Sequence, residues 1–183
     1  MCIPGCSNSG SRSASPSPVT CTTASCPYSP SYNPALWNNP PVIGSTNCYA
    51  YAANDPNGHP PGKPQPGQQC GSPATSVDCA EIDRAAQCDG MVPAPNPPTS
   101  MAGHYPVALV MDPGVDYHWY RLDDNGRWSH KPGNASATDQ DASGRPITNP
   151  ETADRDYSAS GLPNYSQFCG YYYVPSGGIR TGP

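Results

Sequence analysis

Nine cysteines are an odd number, so at least one thiol of this 183-residue chain stands outside any intrachain disulfide. Cys48 is the best placed to be that thiol. It lies in the run Ser45-Thr46-Asn47-Cys48-Tyr49-Ala50-Tyr51-Ala52, which reads as a helix start. Unpaired N–H groups there favour a thiolate, and the Cys48 amide itself can hold an oxyanion. The plainer reading makes Cys48 one more disulfide partner. A nucleophilic thiol also needs a base. Four histidines are available: His59, His104, His118 and His130. His59 stands between Gly58 and Pro60 in a loop and offers the least fixed geometry.

Hairpin register ranks the other three. The run 123–127, Asp-Asp-Asn-Gly-Arg, fits a type I turn followed by a left-handed glycine. That turn pairs Asp123 with Arg127, so Tyr120 opposes His130 and His118 shares a face with His130. Their diagonal separation is roughly 7–8 Å between backbones, within reach of two imidazoles. With a second turn at 112–116, His118 opposes a position near 110, six residues from His104. That is roughly 20 Å along a strand. The expected roles are therefore His118 as general base and His130 as the group that orients it. His104 is kept as a base acting without His118. For each histidine the alternative is a structural or surface role.

The elements that must position these groups can be read from the pattern. Residues 45–54 predict a short helix, capped by Ser45, Thr46 or Asn47 and stopped by Pro56. Residues 77–89 predict the best helix, with Asp78 as cap, Glu81 in the capping-box position and Gly90 at its end. Residues 55–76 and 91–103 read as Gly- and Pro-rich loops. Strands follow at 107–111, 117–122 and 127–130 as an antiparallel meander, and a last one between 164 and 174. Between them lies a long polar segment. The order of helices and then strands predicts an α+β domain.

Composition sets the frame. Leu, Ile, Val and Phe number only 18, whereas Gly and Pro number 44, so the core is thin and loops abound. A net charge of −5 with 12 Tyr and 3 Trp argues against disorder. Eight cysteines as four disulfides would staple such a core, each contributing roughly 2–4 kcal/mol, in an oxidising compartment. Sequence does not give the connectivity among 105 pairings. No signal-peptide core and no long apolar stretch is visible, so the chain reads as a secreted protein in mature form. Residues 1–34, Ser-, Pro- and Cys-rich, read as a disulfide-clamped arm. Residues 35–183 read as the catalytic domain. The arm's Cys2, Cys6, Cys21 and Cys26 could instead form a four-thiolate metal site, a reading that the compartment disfavours. Asn134 and Asn164 lie in glycosylation sequons.

The segment 47–52 resembles the nucleophile segment of CHAP-type and NlpC/P60-type members of the papain-like superfamily. In those proteins a cysteine opens a helix and an aromatic-Ala pair follows. The order Cys48, His118, His130 is similar to their order of cysteine, strand histidine and polar third residue. Gly103-His104 ahead of Val107-Ala108-Leu109-Val110 also looks like the Gly-His-Val-Ala-x-Val base motif of CHAP proteins, with two residues inserted. The likeness covers residues 47–131. It implies a papain-like fold, with the cysteine helix on a small antiparallel sheet, and amide-bond chemistry on cell-wall peptides or proteins. It departs in lacking an upstream glutamine, so the second oxyanion donor is unassigned. The run 128–133, Trp-Ser-His-Lys-Pro-Gly, carries no functional association.

The leading expectation is a secreted cysteine hydrolase or acyltransferase. Trp119, Tyr120 and Trp128 could line its cleft, although buried core is the commoner use of such residues. Its partner would be a peptide or protein substrate, peptidoglycan included, and no cofactor or metal is called for. The alternative is a non-catalytic, disulfide-stapled binding module. A zinc site from Cys48 and two histidines lacks the usual motifs. Without a Lys/Arg cluster or an amphipathic helix, neither nucleic acid nor membrane is an expected partner.

Overall fold

The computed structural model describes residues 28–57 and 62–182. His59 and the four arm cysteines lie outside the described residues. Four short helices precede the five strands: α1 (Pro34–Trp37), α2 (Pro40–Ser45), α3 (Cys48–Ala52) and α4 (Cys79–Cys88). The strands are β1 (Val92–Ala94), β2 (His104–Asp112), β3 (Asp116–Leu122), β4 (Trp128–Ser129) and β5 (Gln167–Pro175). All pairings are antiparallel, and the sheet order is β1-β5-β2-β3-β4. The architecture is α+β, with a five-stranded antiparallel sheet and few helices.

Local chemistry accounts for the elements. Asn47 caps α3 by accepting the Ala50 N–H at 3.1 Å, and Asp78 caps α4 by accepting the Glu81 N–H at 2.9 Å. Glu81 does not close the expected capping box. Its carboxylate takes the Thr75 N–H and the Arg84 guanidinium instead. α1 and α2 were not expected. Each opens on an Asn-Pro pair, with proline at the first helical position, where its missing N–H costs nothing. β1 falls in a stretch expected to be loop. Its Pro93 is tolerated because β1 is an edge strand.

The meander follows the expected register. Arg121 faces Ser129 and Leu122 faces Trp128 across β3 and β4, and Val110 faces His118 across β2 and β3. Gly126, at φ 76°, closes the 123–127 turn with Gly126 N donating to Asp123 O. β5 pairs with β2 on the side away from β3, and its register slips between Leu109 and Val110 beside Gly170.

Period-two alternation sorts the sheet into two faces. Tyr105, Val107, Leu109, Met111, Tyr117 and Trp119 pack under α3 and α4, with Tyr49 and Ile82. Val110, Tyr120, Leu122, Trp128 and Tyr171 form the other face with Ile147 and Tyr165, from the long polar segment. That segment therefore acts as the second layer. Trp119, Tyr120 and Trp128, expected as cleft lining, are buried core residues on these two faces.

Two disulfides staple the described part, Cys70–Cys88 and Cys79–Cys169. A buried ion pair, Arg121 to Asp123 at 2.9 Å, ties β3 to α3 through the Tyr51 carbonyl and ring. Residues 30–32 lie against the domain: Ser31 donates to Asp124 and Pro30 O accepts the Asp124 N–H. Among the described residues, no helix is long and apolar enough to cross a membrane.

Candidate functional site

Cys48 is the free cysteine among the described residues. Its position follows from a gap in the sheet. β4 pairs only with Arg121 and Leu122, so among the described residues no strand covers the outer edge of β3 near His118. The start of α3 docks there. Cys48 Sγ lies 3.9 Å from Tyr117 O, and the amide N–H groups of Trp119, Tyr49 and Cys48 itself are directed at it. The sulfur thus touches the backbone on both sides of His118.

His118 and His130 meet as the register requires. His118 Nε2 and His130 Nδ1 are 2.7 Å apart, with ring planes at 89°. His130 Nε2 is 2.9 Å from Gln140 O. A carbonyl only accepts, which fixes the tautomers along the chain. His130 carries its proton on Nε2, so its Nδ1 accepts. His118 must then donate from Nε2, which leaves Nδ1 as its basic nitrogen.

Electrostatics keep this pair neutral. Burial pushes the Cys48 thiol up to about 12, with the Asp116 carboxylate adding to the rise and the three amides opposing it. Burial and the neighbouring His130 lower His118 well below the ordinary histidine range. Burial lowers His130 to about 4, against the pull of Gln140 O and Asp141. The resting state of Cys48 is a buried thiol, not the accessible thiolate that a helix start suggests. α3 is only five residues long, and its few amides do not outweigh desolvation.

A cavity of about 420 Å³ opens beside the dyad. Asp116, His118, His130, Gly133, Tyr157 and Tyr165 are on its wall. Tyr165 lies 5.1 Å from the His118 ring and donates to Asp116 Oδ2 at 2.8 Å. Tyr120 meets the same ring edge-on at 5.2 Å. Asp116 and Tyr165 escaped the sequence reading. Asp116 stands two residues before His118 and could have been found as its neighbour on one strand face; Tyr165, from a distant loop, gave no signal.

The structure joins the His118 and His130 side chains, sets the Cys48 sulfur against the strand backbone that flanks His118, and leaves His104 out. His104 opens β2 opposite Pro175, six residues from the Val110 that faces His118, and its Nδ1 is 3.0 Å from Ala102 O. Among the described residues, no three His, Cys, Asp or Glu side chains are grouped so as to hold a metal ion.

No family model matches the chain, and no solved structure is similar to it. Among curated proteins, insoluble matrix shell protein 1 of Ruditapes philippinarum is 39% identical over 145 residues, 78% of this chain and 88% of that protein. With that identity spanning most of both sequences, the chain belongs to the family of insoluble matrix shell protein 1.

Proposed function

We propose that the protein is a secreted cysteine hydrolase or acyltransferase of papain-like design, acting on amide bonds of peptides or proteins. One observation carries the reading: the hydrogen-bonded relay from Gln140 O through His130 to His118, on a strand whose backbone touches the Cys48 sulfur. The relay leaves Nδ1 of His118 unprotonated. Cys48 Sγ attacks the amide carbon as its proton passes to His118 Nδ1, and His130 Nδ1 steadies the imidazolium through the Nε2–H. The C–N bond then breaks, and His118 gives the proton to the leaving amine. Water or a second amine releases the acyl group from sulfur. The amides of Trp119, Tyr49 and Cys48, directed at the sulfur, are the candidate donors for the oxyanion.

The relative is by name an insoluble shell matrix protein, which supports an extracellular, matrix-associated setting. The disulfides agree with an oxidising compartment. A second reading, a non-catalytic matrix module, draws on the burial of Cys48 and its raised pKa. Iodoacetamide labelling of the native, unreduced protein separates the two. The enzymatic reading expects modification at Cys48, slowed by H118A. An inert Cys48, or one indifferent to His118, supports the matrix module instead.

A further inference from the structure

We propose that Lys131 is a positioning residue for the Cys48–His118–His130 site: its ammonium ties the segment leading into the Cys48 helix to the loop that follows His130. The inference rests on the nucleophilic reading above. It also gives work to the run His130-Lys131-Pro132-Gly133, of which that reading uses the first residue alone.

Lys131 is fully buried. Its Nζ donates to Ile43 O at 3.0 Å, Thr46 O at 2.9 Å and Gly133 O at 2.7 Å. An ammonium has three N–H groups, and here each has a carbonyl. Ile43 and Thr46 belong to the end of α2, and Thr46 stands two residues before Cys48. Gly133 is on the cavity wall with His130. One side chain thus spans the two chain segments whose spacing sets the distance between thiol and relay.

The Cys48 helix and β4 also meet at Tyr51 OH and Ser129 Oγ, 2.6 Å apart, one residue before His130. His130 lies just past the two-residue β4 and is held in the sheet by a single bridge to Thr138. Cys48 opens a five-residue helix. Small displacements matter in such a pair, since about 1 Å can cost on the order of 10²-fold in rate. A buried lysine ordinarily answers a carboxylate, but the hydrogen-bond partners of Lys131 are carbonyls. Accordingly burial lowers its pKa to about 8, with Lys63 adding to the fall and Cys48 opposing it. Capping α2 alone would leave Gly133 out of the network. Reaching both segments is what distinguishes positioning from a local cap.

The test measures Cys48 alkylation by iodoacetamide in the native protein, with mass mapping, for wild type, H118A, K131M, the double variant and K131R. H118A is expected to slow labelling by about 10²-fold or more and K131M by about tenfold or more, and the double variant to be no slower than H118A alone, since coupled residues are non-additive. Wild-type near-ultraviolet circular dichroism should persist in K131M. Wild-type labelling in K131M, or effects that multiply independently with H118A, would overturn the proposal. Should K131M not fold, K131R serves: its guanidinium keeps the charge but cannot offer three N–H groups from one nitrogen. Loss of coupling to His118 is expected there too, and intact coupling overturns the assignment. If H118A itself labels at the wild-type rate, the nucleophilic reading falls and takes this one with it. If H118A slows and K131M does not, only the role of Lys131 falls.

Discussion

His118 Nε2 and His130 Nδ1 are 2.7 Å apart, and that hydrogen bond decides which nitrogen of His118 can take a proton. Because His130 Nε2 is held by Gln140 O, the direction of the relay is set from outside the dyad. Removing His130 frees His118 to adopt the other tautomer. H130A is expected to slow Cys48 alkylation by about tenfold, and H118A by about 10²-fold or more, the range for loss of a general base. H130Q should recover much of the rate, since its side-chain oxygen can accept from Nε2–H. Equal rates in H130A and H130Q would sink the tautomer argument.

The same burial that sets the tautomers makes the fold sensitive to acid. His130 is lowered to about 4 in the folded state and has an ordinary value near 6.5 when unfolded. Between those values the unfolded chain binds more protons, so stability falls as pH drops from about 6.5 to about 4. His118, lowered in the same direction, adds to this loss. Asp123, raised to about 6 by burial, acts in the opposite sense and is present in both proteins compared. Urea midpoints at pH 7 and pH 4.5 should fall more for wild type than for H130Q, the difference amounting to a few kcal/mol at most. Identical acid losses would show that His130 is not held neutral.

Asp116 should hold the thiol back. Its carboxylate raises the Cys48 pKa while accepting from Tyr165 OH and the Tyr117 N–H. D116N keeps an acceptor for Tyr165 and removes the charge. The alkylation profile of Cys48 is expected to move down by about one pH unit, the usual effect of one nearby like charge. An unmoved profile would mean that burial alone sets the thiol.

What could be read from residue order was local. The 123–127 turn fixed the register of β3 and β4, and with it the meeting of His118 and His130. Asn47 announced α3 and Asp78 announced α4 through their caps. What could not be read depends on segments distant in sequence. The helix start at Cys48 suggested a stabilised thiolate, but the burial that raises its pKa comes from the packing of β3 against α3. Tyr165 reaches His118 from the loop before β5, 47 residues further along the chain. Trp119 and Tyr120, adjacent in sequence, belong to opposite layers; the helical layer is the one expected on the sheet, whereas the second is built largely from the polar 134–163 segment, whose residues carry few landmarks.

The two disulfides should differ in both stability and chemistry. Cys70–Cys88 closes 18 residues and Cys79–Cys169 closes 90. Loop-closure entropy gives about 3 kcal/mol for the first and about 4.5 kcal/mol for the second, so C79A/C169A should unfold at lower urea than C70A/C88A. The thiol should respond the other way. Cys70–Cys88 anchors the loop that meets the Cys48 site, where Asn47 Nδ2 donates to Pro64 O at 2.7 Å and Tyr117 OH donates to Gln65 Oε1 at 2.5 Å. Loosening that loop opens a way to the sulfur. C70A/C88A is therefore expected to label faster at Cys48 than wild type, whereas C79A/C169A, which frees α4 from β5, should label at the wild-type rate under native conditions. Faster labelling in C79A/C169A than in C70A/C88A would place the cover of Cys48 on α4 instead of the 62–76 loop.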